Sequence, residues 1–313
     1  MTTRPGATVS GGGPDATAAD ERPVVVDAST GQLLAVVTSP TAPAIGIAAV
    51  LLRGAGWRPS SGPRRTQVRT ARRLAAHGVH GVRFSYHGIA ESTGEHDEIV
   101  RLDQPYTEDL GAVVAWCQRA RLRPLLIGNC FGARTALAYA AAPDHFVAGV
   151  VMLVPPMHDF EVARRLDRRP VETLAKRVTP RRALAVMRDP TRRRALGRTL
   201  RALADVGRRR VRRRGADDPV WLSRTLCRQL DDVVRRSVPV LVVYGDDDNY
   251  GRDFETARRG TLGVVVDRAG AALQVRTVPG RIHGQTSVET QQATLDAVED
   301  WVERTFGTPG SPA

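Results

Sequence analysis

Continuous apolar runs alternate with amphipathic segments over most of the chain, and this alternation constrains the fold more than any other feature. The run 45–52 has no polar residue on either face, which is typical of a strand covered on both sides. The alternation indicates an α/β fold, in which helices flank a mostly parallel sheet. Strands are predicted at 45–52, 82–85, 124–127 and 147–154, and helices at 66–77, 107–121 (with Thr107 as N-cap) and 133–142.

The start of the chain departs from this pattern. Residues 1–21 are rich in Gly, Thr, Ala and Pro, so we expect a disordered N-terminal tail. Two short apolar runs, 24–27 and 33–38, follow it and predict a β-hairpin. The Gly- and Pro-containing segment 307–313 is expected to be a C-terminal tail.

A second departure lies between 155 and 236. This stretch shows amphipathic Leu, Ala and Arg segments broken by prolines, and it has no run typical of a buried strand. It is therefore predicted to be a helical cap inserted after strand 6 into a core of 22–154 and 237–306. The remaining predicted elements are strands 238–244 and 273–278, and helices 253–269 and 287–304.

The positive charge of the chain is concentrated in this predicted cap. The net charge is +13, yet residues 161–214 alone contain 20 basic and 5 acidic side chains. A cationic segment can attract an anionic small molecule, an acidic carrier protein or nucleic acid. It can equally be a solvated helical face in which arginine reflects codon usage, and both interpretations stay open.

Cysteine usage and hydropathy bear on the compartment. Three cysteines at long, irregular spacings form neither a disulfide framework nor a zinc ligand set, which favours a reducing compartment and implies no metal. The N-terminus lacks the apolar region of a signal peptide, and no stretch reaches the ~18 apolar residues of a membrane span. We therefore predict a cytoplasmic protein with no membrane partner.

The segment Gly128-Asn129-Cys130-Phe131-Gly132 lies between a predicted strand and an alanine-rich helix. This is the nucleophile-elbow pattern with Cys at the position where Ser is commoner. The turn is so tight that its flanking positions require small residues, and Gly128 and Gly132 meet that requirement. A helix N-terminus next to the sulfur favours the thiolate. A buried, inert cysteine is the alternative interpretation.

Five landmarks in order make the chain resemble the α/β-hydrolase superfamily, especially its cap-bearing serine hydrolases, acyltransferases and thioesterases. The resemblance covers about 45–302 and implies a mostly parallel eight-stranded sheet. The landmarks are Arg53-Gly54-Ala55-Gly56, the segment 85–92, the elbow, Tyr244-Gly245-Asp246-Asp247-Asp248 and Pro279-Gly280-Arg281-Ile282-His283-Gly284. Fold alone does not fix the reaction.

The resemblance implies a Cys-His-Asp triad. Cys130 would be the nucleophile, His283 the general base and Asp248 the acid that orients the imidazole. Asp246 and Asp247 are adjacent, so an assignment shifted by one position stays open. The backbone N–H groups of Ala55 and Phe131 would form the oxyanion hole.

Three further residues are candidate substrate contacts. Arg53 stands where a His is common in the superfamily, and it can form a salt bridge or contact an anionic substrate. Asn129 precedes the nucleophile. His158 follows the sixth strand where the predicted cap begins, so it can line the pocket.

Three functions are compatible with these residues. The first is hydrolysis or acyl transfer on an ester or thioester through an acyl-enzyme, with a small-molecule acyl substrate that coenzyme A or an acyl carrier protein can present. The second is elimination or cyclisation with His283 as base and no acyl-enzyme. The third is a non-catalytic protein that binds through its arginines, although the cap lacks the aromatic interleaving typical of nucleic-acid binding. None of the three implies a cofactor.

Overall fold

One sheet of eight strands organises the part of the chain that the computed structural model describes, residues 19–54, 59–95, 102, 105–159, 218–219, 221–285 and 287–307. The strands are β1 (Glu21–Ala28), β2 (Gly31–Thr38), β3 (Ile47–Leu52), β4 (His80–Phe84), β5 (Arg123–Asn129), β6 (Gly149–Leu153), β7 (Val240–Gly245) and β8 (Leu273–Val278). The helices are α1 (Thr66–Ala75), α2 (Thr107–Arg119), α3 (Phe131–Ala141), α4 (Arg224–Arg235), α5 (Asn249–Ala257), α6 (Thr261–Ala269) and α7 (Val288–Phe306), and a short 3₁₀ turn, Pro63–Arg65, precedes α1.

The sheet is mostly parallel, as the sequence predicts. Its strand order is β1-β2-β4-β3-β5-β6-β7-β8. The hairpin of β1 and β2 adds one antiparallel edge, since β2 also pairs antiparallel with β4. All pairs from β4 to β8 are parallel, so β3, β5, β6, β7 and β8 end at one edge of the sheet. The loops after these strands therefore meet at that edge.

Helices cover both faces of this sheet. The connection from β3 to β4 moves toward the β1 edge of the sheet, whereas the connections from β4 to β5 and from β5 to β6 move toward the β8 edge. Because such crossovers are right-handed, α1 lies on one face of the sheet and α2 and α3 lie on the other. α7 packs beside α1, while α4 packs on α3 and α6 on α4. All residues of β3, β6 and β7 are buried, which explains their uninterrupted apolar sequences.

Two local predictions are wrong. Thr107 is already the first helical residue of α2, and the N-cap is Tyr106, whose side chain makes no capping hydrogen bond. The predicted helix 253–269 is two helices separated near Gly260. The carboxylate of Asp218 accepts a hydrogen bond of 2.6 Å from the N–H of Thr261, the first residue of α6, and thereby caps the start of this second helix. A Cβ on Gly260 would overlap this carboxylate.

The predicted cap, 155–236, is described at its two ends. Most of it, including the arginine-rich stretch 161–214, lies outside the described residues. The described end forms α4, which begins at the N-cap Ser223 and buries one side on α3 through Leu226, Leu230 and Val233. The cap boundaries stay a prediction. None of the helices in the described ranges is long and apolar enough to span a membrane.

Candidate active site

Cys130 occupies a strained turn between β5 and α3. Its backbone has φ 51° and ψ −110°, a positive φ that a residue with a Cβ rarely adopts. The Cys130 N–H donates to the carbonyl oxygen of Leu153 at 2.9 Å, which ties the turn to the end of β6. Cys130 is partly exposed, whereas Cys117 and Cys227 are buried. The sequence-predicted strand, sharp turn and helix are therefore present, with a thiol that small molecules can reach.

The two elbow glycines are required by close backbone approach. A Cβ on Gly132 would lie 2.5 Å from the carbonyl oxygen of Arg53 and 2.6 Å from that of Leu52. A Cβ on Gly128 would lie 2.5 Å from the backbone nitrogen of Ala133 and would overlap the backbone of Gly132. These distances are well below van der Waals contact, so α3 can start against β3 and β5 only with glycine at both positions.

A cavity of about 290 Å³ opens above this turn, and we call it the elbow cavity. Its wall includes Cys130 and Asn129 from the elbow, Arg53 from the end of β3 and His283 from the loop after β8. Strands far apart in sequence thus bring the predicted nucleophile and the predicted base to one cavity. Asn129 and Arg53 line this cavity, and their role as substrate contacts stays a prediction.

Asp248 is buried directly after β7, with 2% of its surface exposed. Its Oδ2 accepts hydrogen bonds from the N–H groups of Ile282 (2.8 Å) and Gly245 (3.1 Å), and its Oδ1 accepts from the N–H of His283 (3.3 Å). A Cβ on Gly245 would lie 2.8 Å from Oδ2, so glycine is needed for this approach. The carboxylate therefore fixes the backbone of the loop that carries His283.

The neighbouring aspartates are placed differently. Asp246 accepts from the N–H of Gly280 at 2.8 Å, and Asp247 forms an exposed ion pair with Arg281 at 3.5 Å. Of the three, Asp248 is the buried one and the one that binds the backbone of His283. Within the described residues no hydrogen bond joins the imidazole of His283 to Asp248. Such bonds often form only in the substrate complex.

We expect Asp248→Asn to lower kcat/KM by about 10²-fold or more and to lower the melting temperature. An amide would turn a donor toward backbone N–H groups that now share one carboxylate, leaving a buried donor unsatisfied. The matched control is Asp247→Asn, because that side chain is 63% exposed and its one ion pair among the described residues is with Arg281. Equal losses in both variants would contradict the assignment of Asp248. Steady-state kinetics and thermal unfolding of both variants measure this.

The ring of Tyr250 lies between two histidines, an arrangement the sequence analysis did not predict. Its centroid is 5.2 Å from that of His283 and 5.7 Å from that of His158. His158 is fully buried and is not among the described residues that line the elbow cavity, and its role as a substrate contact stays a prediction. The position of Tyr250, two residues after Asp248 in the first turn of α5, was the available signal.

Arg134 is a second residue that the sequence analysis missed. It is 2% exposed on α3, and its guanidinium donates to the carbonyl oxygens of Pro156 (3.2 Å) and His158 (3.0 Å) and to the carboxylate of Asp159 (2.8 Å). These bonds anchor the chain where it leaves β6. A lone arginine in an alanine-rich helix was the signal, because a buried guanidinium needs several acceptors.

Arg53 and Phe131 form part of the surroundings of the elbow. Arg53 is 3% exposed, and its Nε donates to the carbonyl oxygen of Gly54 at 3.4 Å. Burial raises the pKa of the Tyr86 hydroxyl, and the positive charge of Arg53 acts to lower it. Phe131 is the first residue of α3, so its N–H belongs to the group that a helix start leaves without a helical partner. Ala55, the other predicted oxyanion donor, lies outside the described residues.

No group of three or more His, Cys, Asp or Glu side chains in the described ranges is placed to hold a metal ion.

Comparison with known proteins assigns the family. Residues 49–280 match the model of the alpha/beta hydrolase family, and the chain belongs to that family. A search of curated protein sequences finds no significant match. The elbow, the fold and the order of the site residues along the chain agree with this membership.

Solved structures of similar fold cover nearly the whole chain. A thermostable carboxyl esterase from Bacillus coagulans is 11% identical, with a TM-score of 0.56 over 91% of this chain and 99% of that one. Proline iminopeptidase from Mycobacterium smegmatis is 17% identical, with a TM-score of 0.54 over 91% and 98%. Dienelactone hydrolase from Anabaena variabilis is 13% identical, with a TM-score of 0.54 over 91% and 98%. At these identities the likeness concerns the fold.

Proposed function

We propose that this alpha/beta hydrolase acts on an ester or thioester through a covalent acyl-enzyme on Cys130, and releases the acyl group to water or to an acceptor. One observation carries the proposal: the partly exposed Cys130 lies on a strained elbow in the same cavity as His283. Strain at a cavity wall is typical of reactive positions.

The proposed reaction has two halves. In the first, His283 takes the proton of the Cys130 thiol while Sγ forms a bond to the carbonyl carbon of the substrate. The N–H groups of Phe131 and Ala55 stabilise the resulting oxyanion. Collapse breaks the bond to the leaving alcohol or thiol, which receives the proton from His283.

In the second half, water or an acceptor attacks the acyl-enzyme. His283 takes the proton of the attacking group, and the tetrahedral intermediate collapses with release of Cys130 Sγ, which regains its proton from the imidazole. Asp248 holds the loop of His283 through a backbone hydrogen bond. We propose that its carboxylate also accepts a hydrogen bond from the imidazole N–H of His283 when substrate is bound. The acid product, or the acylated acceptor, then leaves.

A cysteine nucleophile favours activated substrates. The intermediate is itself a thioester, which retains the capacity for acyl transfer when water is excluded. Thioesters of coenzyme A or of an acyl carrier protein are the proposed donors, supported by the 20 basic side chains of residues 161–214, which attract acidic carriers and phosphates. The free thiols Cys117 and Cys227 fit a reducing compartment, and we keep the cytoplasm as the proposed location.

The test is the intact mass of the protein after incubation with acyl thioesters and p-nitrophenyl esters. We expect one acyl group on the wild type and none on Cys130→Ala. The matched control is Cys227→Ala, since burial raises the pKa of the Cys227 thiol to about 12 and leaves it unreactive near neutral pH. This variant should acylate like the wild type.

Two results would reject the acyl-enzyme. One is an acyl group that persists in Cys130→Ala. The other is substrate turnover with no adduct at any time, which would favour His283 acting as the base of an elimination or cyclisation.

A further inference from the structure

The elbow cavity has two arginines on its wall. Arg53 lies beside the elbow and Arg64 lies in the 3₁₀ turn before α1. The other polar side chains of the wall are those of Thr66, Gln67, Thr70, Asn129, Cys130, His283 and Gln285. Among the described residues that line this cavity there is no Asp or Glu, so its charged groups are positive.

Arg53 adds a buried positive charge to the wall that also carries Cys130. Arg53 is buried, with 3% of its surface exposed, and the next residue, Gly54, packs on the elbow. A Cβ on Gly54 would lie 3.7 Å from the Cβ of Cys130. A buried guanidinium in a wall of low dielectric acts on a bound anion more strongly than an exposed one does.

Arg64 is held on the wall of the cavity by a hydrogen bond. Its Nη1 donates to the carbonyl oxygen of Gly284 at 3.1 Å, which joins the turn before α1 to the loop of His283. Its backbone has φ 49° and ψ 33°, in the left-handed region that disfavours residues with a Cβ. The guanidinium of Arg64 therefore lies beside Gly284 on the cavity wall, and this hydrogen bond uses one of its five N–H donors.

We infer that the elbow cavity selects acyl groups that carry a carboxylate, which Arg64 binds and the buried positive charge of Arg53 attracts, while the scissile carbonyl lies at Cys130. The inference rests on the proposed acyl-enzyme function and names its substrate class. Arginine is suited to this task because its planar guanidinium can bind both oxygens of a carboxylate. A cavity of about 290 Å³ accommodates a short dicarboxylic monoacyl group.

The test compares two p-nitrophenyl esters of the same shape, the mono-ester of glutaric acid and the ester of 5-methylhexanoic acid. For the wild type we expect kcat/KM to be at least about 10-fold higher with the glutarate ester. In Arg64→Gln this ratio should fall at least about 5-fold, since a neutral amide cannot pair with the carboxylate. Arg64 is preferred to the buried Arg53, whose replacement can prevent folding.

Arg65→Gln is the matched control. Arg65 is the adjacent residue, is also exposed and also has a positive φ of 58°, but it does not line the cavity. It should keep the wild-type ratio. A wild-type ratio of one or less, or an equal fall in both variants, would overturn the inference.

A second pair of substrates shows whether Arg64 acts on a charge of the acyl group or on a charge of the leaving group. Butanoyl coenzyme A and the butanoyl thioester of N-acetylcysteamine have the same neutral acyl group and differ in the phosphates of the leaving group. Sensitivity to Arg64→Gln confined to this pair would overturn the assignment to the acyl group. If neither p-nitrophenyl ester acylates Cys130, the proposed function fails. If both p-nitrophenyl esters acylate Cys130 at equal rates, the proposed function stands and the preference for a carboxylate fails.

Discussion

Replacing His283 with alanine is expected to lower kcat by at least about 10³-fold on any ester that acylates Cys130. The second half of the reaction then lacks the base that activates water. Acylation by an ester with a good leaving group is less affected, because thiols with a pKa of about 8.5 are partly ionised near neutral pH. With a p-nitrophenyl ester, the His283→Ala protein should rapidly release one equivalent of p-nitrophenolate. Its intact mass should then remain higher by one acyl group.

His145→Ala is the control for this variant. His145 lies in the loop before β6, at the opposite edge of the sheet from Cys130, where its ring stacks on Tyr139 with centroids 3.9 Å apart. It should keep wild-type turnover. Wild-type turnover in His283→Ala, or the same loss in both variants, would remove His283 from the proposed mechanism.

The second large effect is expected from Gly128→Ala. The added methyl would meet the backbone of Gly132 and lie 2.5 Å from the nitrogen of Ala133, and backbone cannot move aside as a flexible side chain can. We expect the free energy of unfolding to fall by at least about 3 kcal/mol. For a domain of this size that lowers the melting temperature by about 6 °C or more.

Gly111→Ala tests whether this loss is specific to the elbow. Gly111 lies within α2, and a Cβ there would lie 3.5 Å from Cε2 of Tyr139, an ordinary contact. Alanine in a helix is favoured over glycine by about 0.5–1 kcal/mol, so this variant should be as stable as the wild type or slightly more stable. A Gly128→Ala protein with the melting temperature of the wild type would show that the elbow tolerates a side chain.

The elbow and the sheet could be predicted because their causes are local in the sequence. Uninterrupted apolar strands indicate a sheet covered on both faces, and glycines on both sides of Cys130 indicate a turn with no space for a Cβ. The break at Gly260 has a distant cause, since Asp218 is brought to Thr261 only by the folded chain. A continuous helix was the reasonable expectation there.

The residues of the candidate site also divide into those that the sequence predicts and those that depend on distant contacts. Cys130 and His283 follow strands that end at one edge, so their common cavity follows from the topology. Arg64 contacts Gly284 across 220 positions of sequence, and the contact depends on a left-handed backbone at a residue that is not glycine. Tyr250 packs its ring against His283, a residue 33 positions later that only the folded loops bring close.

The chain leaves the sheet after β6 and returns to it at almost the same point. His158 and Leu222 form an antiparallel bridge, and the N–H of Ser223 donates to the carbonyl oxygen of Met157 at 2.8 Å. Closing a longer loop costs only slightly more free energy, because the cost rises with the logarithm of length. The number of residues between these two points can therefore change at little cost in free energy, while the bridge keeps β6 and α4 in register with the elbow.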